Sequence, residues 1–147
     1  MQLLKHGADP NVLTTQDGYN ANKTAIIIAA ERGHWEIVDA LLDNPDVKIY
    51  QDNIKSKGDN LLCLACELGK TAIVEKILRM TDKRELEAKI NEFNSSGVTA
   101  LHLAAGEGHA DIVELLIRYN ANVNAVRNHE ENRPIETAAN RDLWPVV

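Results

Sequence analysis

Apolar positions recur along this chain in a fixed order. The run Thr99-Ala100-Leu101-His102-Leu103-Ala104-Ala105 is followed by Gly108-His109 and then Ile112-Val113-Glu114-Leu115-Leu116. Thr24-Ala25-Ile26-Ile27-Ile28-Ala29-Ala30, Gly33-His34 and Ile37-Val38-Asp39-Ala40-Leu41-Leu42 repeat that order with the same internal spacing. A third copy, Asn60-Leu61-Leu62-Cys63-Leu64-Ala65-Cys66, Gly69-Lys70 and Ile73-Val74-Glu75-Lys76-Ile77-Leu78, keeps mainly the hydrophobic pattern. A fourth, from Arg133-Pro134-Ile135 to Trp144-Pro145-Val146-Val147, breaks off, and Leu3-Leu4-Lys5-His6-Gly7-Ala8-Asp9-Pro10-Asn11 reads as the tail of a unit without its front. The cores keep their length while the connections vary, which places the added residues in loops 14–23, 50–58 and 80–89.

Each copy predicts two short helices. Thr24 or Thr99 stands where an N-cap belongs, and the small residues Ala29, Ala30, Ala104 and Ala105 allow helices to approach closely. Gly33, Gly69 and Gly108 fall where the chain must turn with positive φ. Ile37, Val38, Leu41 and Leu42 form the buried stripe of a second helix. One such pair cannot bury both of its faces, so stability has to come from stacking.

The composition agrees with this. Of 147 residues, 44% are hydrophobic and only 4% aromatic, with Ala, Leu and Ile dominant. That favours packed helices over a β-sandwich. A net charge of −6 opposes nucleic-acid binding, which depends on a basic face, and adhesion to an anionic membrane. The chain has no apolar run long enough to span a bilayer. Two cysteines make no disulfide framework, so a reducing, cytoplasmic setting is expected.

The pattern resembles the ankyrin repeat, in its T-P-L-H-x-A-A start, G-H turn, I-V-x-L-L second helix and the G-A-D-x-N motif that opens a finger loop. Gly7-Ala8-Asp9-Pro10-Asn11 and Asn120-Ala121-Asn122-Val123-Asn124 match that last motif, while Ala25, Leu61 and Ala100 depart from the Pro of the first. The resemblance implies an all-α solenoid of helix–turn–helix repeats with extended finger loops. It divides the chain into a partial repeat over 1–16, repeats at about 17–50, 51–92 and 93–126, and a partial repeat over 127–147. A single domain, and a fragment of a longer protein, is the expectation.

The resemblance further implies a non-catalytic protein–protein interaction module, a scaffold gripping its partner with finger tips and the concave face of the first helices. Carried over position by position, the candidate contacts are Tyr19, Lys23, Arg32, Trp35, Tyr50, Lys57, Asp59, Leu68, Val98 and Glu107. Leu68 is the sharpest of them, because Arg32, Glu107 and Arg141 are charged at the same register. Trp35 and Trp144 follow the inter-helix turn in equivalent places, where each covers its own helix pair or anchors a partner. Lysines at 23, 55 and 57 against glutamates at 107, 130 and 131 suggest a partner of split charge.

Other chemistry finds little support. Cys63-Leu64-Ala65-Cys66 lacks the context of a redox pair and the further ligands of a zinc site, and reads as core. His34, His102 and His109 recur at repeat positions and read as packing residues. No nucleophile–base grouping and no phosphate loop stand out, so no enzyme activity, metal or cofactor is expected. Asp82, Lys83, Arg84, Glu85 and Glu87 predict a solvated helical extension. The alternative function is a regulatory or substrate-recruiting part of a larger enzyme, or of a bacterial effector in host cytosol. A groove-bound nucleotide would need more basic aromatic clusters than Tyr50 with Lys55 and Lys57. The chain is expected to be a monomer, with end-to-end dimerisation as the alternative.

Overall fold

Thr99 begins the most complete repeat. Its backbone is extended, and its hydroxyl accepts from the His102 backbone N–H. The His102 ring closes the pair: Nδ1 lies 3.2 Å from the Thr99 backbone N–H and 2.9 Å from the hydroxyl. With Nδ1 accepting, the ring proton sits on Nε2. This is a capping box with His in the place of Glu or Gln. It starts a helix over Ala100–Gly106 whose Leu101, Ala104 and Ala105 are buried.

The structure, a computed structural model, describes residues 7–14, 23–50 and 60–125. Among them are seven helices and no strand: α1 Ala25–Glu31, α2 Trp35–Leu42, α3 Leu61–Glu67, α4 Thr71–Met80, α5 Lys83–Lys89, α6 Ala100–Gly106 and α7 Ala110–Arg118. The expected all-α class is therefore observed. The chain divides into two compact units, Met1–Leu61 and Leu62–Val147. In the first, α1 packs on α2; in the second, α6 packs on α7 and α4 on α7.

One device ends both α1 and α6. After α6, Gly108 has φ +76, its N–H donates to the Ala105 carbonyl, and the His109 N–H donates to that of Ala104. Gly33 and His34 do the same for α1, with φ +77 at Gly33. These are Schellman caps, which need a left-handed residue just past the helix. Asn120, φ +66, closes α7 in the same way, which is why Asn can stand where the partial first repeat has Gly7.

Thr24 departs from expectation. It holds the extended N-cap backbone and is buried, but it makes no side-chain cap bond. The residue at the place of His102 is Ile27, whose side chain offers no nitrogen to orient the hydroxyl. Thr99→Ala is thus expected to lower stability by about 1 kcal/mol, read as a shift of the urea midpoint. Thr24→Ala should move it less.

The charged segment after α4 is the predicted helical extension. The Asp82 side chain accepts from the backbone N–H groups of Arg84 and Glu85 and caps α5, while Leu86 and Ile90 turn inward. Within each unit an asparagine ties one finger base to the one after it. Asn11 donates to the Asp46 carbonyl and accepts from the Lys48 N–H, both at 2.7 Å. In the second unit Asn91 accepts from the Asn122 N–H at 2.6 Å.

Candidate functional site

Two turns meet in the second unit. Gly69, φ +70, follows the last turn of α3, and the Lys70 N–H donates to the Ala65 carbonyl. His109, between α6 and α7, lays its ring over this turn, with Nε2 3.0 Å from the Glu67 carbonyl oxygen. A carbonyl only accepts, so Nε2 is the protonated nitrogen there. The ring is close enough that a Cβ on Gly69 would stand 2.7 Å from its Cε1.

This junction sets the place of Leu68. It lies between Glu67 and Gly69, the two residues that the ring touches, and its side chain is 51% exposed. Glu107, at the equivalent turn of the next repeat, is exposed as well. The side chains of Leu68 and Glu107 thus belong to adjoining turns, one apolar and one acidic. The finger ahead of α6 is held by Asn94. Its side chain accepts from the Ser96 and Val98 N–H groups, its backbone N–H donates to the Val98 carbonyl, and Gly97 turns at φ +71. Ser95 and Ser96 at its tip are exposed.

Val98 requires a correction. Expected as a finger contact, it is 6% exposed and belongs to the core. It is the residue before the N-cap, where the chain turns inward to begin a helix. Lys23 holds the same register in the first unit and is buried too, its ammonium 2.7 and 2.8 Å from the two carboxylate oxygens of Glu31. Neither side chain is open to a partner. In the first unit Arg32 is exposed at the end of α1, while Trp35 and Tyr50 are half-buried. Tyr19, Lys57 and Asp59 lie outside the described residues.

Cys63 and Cys66 are both buried on α3, and neither is in a disulfide. Burial pushes the Cys66 thiol well above its ordinary range, and the neighbouring Cys63 adds to this. A thiol held protonated is a weak nucleophile, in keeping with a core role. Among the described residues no group of three or more His, Cys, Asp or Glu side chains could hold a metal ion. An open depression of about 440 Å³ runs along α4 past Ala72, Glu75, Lys76, Arg79 and Met80. The Glu75–Arg79 ion pair in its wall is well exposed to water. No described helix is long and apolar enough to cross a membrane.

The repeats seen in the sequence and the paired helices agree with comparisons to known proteins. A family model for ankyrin repeats in three copies matches at residues 1–85, 46–127 and 82–144. NF-kappa-B inhibitor alpha of Sus scrofa is 33% identical over 109 residues, covering 72% of this chain and 33% of that protein. Human ankyrin repeat domain-containing protein 63 is 32% identical over 114 residues, 78% of this chain and 27% of its own. The E3 ubiquitin-protein ligase XBAT33 of Arabidopsis thaliana is 28% identical over 152 residues, 86% of this chain and 28% of its own. The chain spans about a third or less of the length of these curated relatives. By its matching family model, its repeated turns and its stacked helix pairs, the chain belongs to the ankyrin repeat family.

Proposed function

We propose that the chain is a non-catalytic protein-interaction module, and that its second unit grips a partner at the adjoining turns that carry Leu68 and Glu107. The observation that supports this most is the exposure of Leu68. An apolar side chain stands in water at a register where the other repeats carry Arg32 and Glu107, and the His109 bridge holds its turn rigidly in place. Rigid anchors lose little entropy on binding, so one well-placed apolar contact can carry much of an interface. The exposed Ser95 and Ser96 offer hydrogen-bonding groups on the finger of the same unit. Arg32, Trp35 and Tyr50, with Tyr19, Lys57 and Asp59, are the contacts proposed for the first unit. The partner is a protein, met in a reducing cytoplasm that keeps Cys63 and Cys66 as thiols.

Relatives are consistent with this reading. One is named as an inhibitor of NF-kappa-B. Another is named as a ubiquitin ligase, of which this chain would correspond to 28%. That second case favours the alternative of a recruiting part within a larger enzyme.

The test is affinity capture from cytosolic extract with the wild-type chain and a Leu68→Asp, Glu107→Arg variant. Circular dichroism should show equal helicity, since both side chains are exposed. We expect a protein held by the wild type to be lost, with affinity falling at least about tenfold for one hot-spot truncation. Equal capture by both chains would remove the site from these turns.

A further inference from the structure

Leu68 does not stand alone on its face of α3. Its backbone N–H donates to the Leu64 carbonyl at 3.1 Å, and the Glu107 N–H donates to that of Leu103 at 3.0 Å. Residues joined in this way lie one turn apart on the same side of a helix. Leu64 and Leu103 hold one register in their repeats, and both are half-buried. The His109 ring joins the two turns through the Glu67 carbonyl, so the pair on α3 and the pair on α6 border one another. The patch they make is Leu64, Leu68 and Leu103 with the Glu107 carboxylate at its corner. Charge around that corner has one sign. From Ile90 to Ile117 the chain carries Glu92, Glu107, Asp111 and Glu114 and no Lys or Arg, and these four acids are all exposed. Beside Leu68, Glu67 and Lys70 balance each other. The negative field therefore comes from the whole repeat and not from Glu107 alone.

We propose that the occupant of this patch is a short linear segment of a partner protein, with a large aliphatic side chain over Leu64, Leu68 and Leu103 and a Lys or Arg against Glu107. The inference rests on the reading that these turns hold the partner, and it adds what the partner presents to them. Charge complementarity calls for the cation. An Arg suits it best, because its planar fork matches a carboxylate. Size calls for a linear segment: four side chains are far fewer than the roughly 20–30 residues a side of a standard interface between folded proteins. Spacing follows from the backbone. Neighbouring helices lie about 8–10 Å apart. Residues i and i+2 of an extended strand point to one side about 7 Å apart, and the length of a basic side chain spans the rest. The segment should therefore carry its apolar and basic residues two positions apart.

The test selects random phage-displayed peptides of about a dozen residues on the wild-type chain and on the Leu68→Asp, Glu107→Arg variant. Peptides held by the wild type alone should share a Leu, Ile or Met with a Lys or Arg two positions away. One of them, synthesised, should bind about tenfold more weakly to the chain with Glu107→Arg alone. Replacing its Lys or Arg by Glu should restore binding to that variant, and rising salt should weaken the original pair. Peptides lost on the double variant but lacking a basic residue would overturn this proposal and leave the turns as the partner site. Peptides held equally by both chains would overturn the proposal and the site together. Enrichment of no peptide would overturn a linear occupant, while capture from cytosolic extract would still report a folded one.

Discussion

Gly69→Ala should lower the unfolding free energy by about 2–3 kcal/mol, a fall of roughly 5–10 °C in the thermal midpoint of a chain this size. Two costs combine. A residue with a Cβ is strained at φ +70, by about 1–2 kcal/mol. The added carbon would also stand 2.7 Å from His109 Cε1 and 3.0 Å from both ring nitrogens, so the ring must leave. Its departure gives up the bond to the Glu67 carbonyl, a further loss of about 1 kcal/mol.

Gly33 provides the control. It turns at φ +77 in the equivalent cap, but a Cβ there meets nothing within 4 Å. Gly33→Ala should therefore cost only the backbone strain. A His109→Ala change separates the remaining part. If the ring clash is real, Gly69→Ala should cost clearly less in the His109→Ala background than in the wild type. Equal costs at Gly33 and Gly69 in urea titrations, with no coupling to His109, would show that only strain matters.

These turns were legible in the sequence because glycine and histidine recur together at Gly33-His34 and Gly108-His109. Spacing alone identified the turn, and the Schellman geometry explains why only glycine or asparagine serves there. The third copy has Lys70 in place of the histidine and keeps little beyond Gly69 and its apolar stripe, yet it folds to the same pair, with Leu61, Leu62, Val74 and Ile77 buried. Repeat packing is carried by volume at core registers, so a unit can lose its polar signature and keep its shape. Spacing did not reveal that His109 reaches back over the preceding repeat. A contact between residues 67 and 109 lies outside any local pattern.

The candidate site was legible less well. Leu68 stood out by comparison with charged residues at its register, and it is indeed exposed. Lys23 and Val98 sit where the finger ends, which marks them as contacts in the sequence, and both are interior. The register itself held a signal: a valine at one copy's position predicts a sheltered place at the others. Residue type prevailed over register for Lys23, since a lysine is rarely buried unless paired. Its partner, Glu31, was eight residues away and on the same helix pair. Ile37 departs in the opposite sense, exposed where the sequence predicts a buried stripe. Whether a stacking position is covered depends on the neighbouring repeat, which no stripe within α2 can report.

The buried pair leads to the second large effect. Lys23→Ala should destabilise the chain by about 3–5 kcal/mol, the range for breaking a sheltered ion pair from one side. The Lys23 and Glu31 side chains are 7% and 13% exposed, and both carboxylate oxygens face the ammonium. Glu31 is the last residue of α1, at the negative end of the helix, so the lysine also offsets an unfavourable interaction with the dipole. The same lysine fastens the finger base. Its backbone N–H donates to the Thr14 hydroxyl at 3.1 Å, and its carbonyl accepts from the Thr14 N–H at 3.0 Å. Those backbone bonds survive a side-chain change, so the loss should come from the stranded carboxylate. Glu31→Gln in the Lys23→Ala background should then recover part of the stability, and Lys23→Met with Glu31→Met should return close to wild type. Raising the salt concentration should move the wild-type midpoint little through this pair, because sheltered charges are weakly screened. If Lys23→Ala alone costs under about 1 kcal/mol, as exposed pairs do, the pair is open to water in solution, and Lys23 returns to the surface as a candidate contact for the partner.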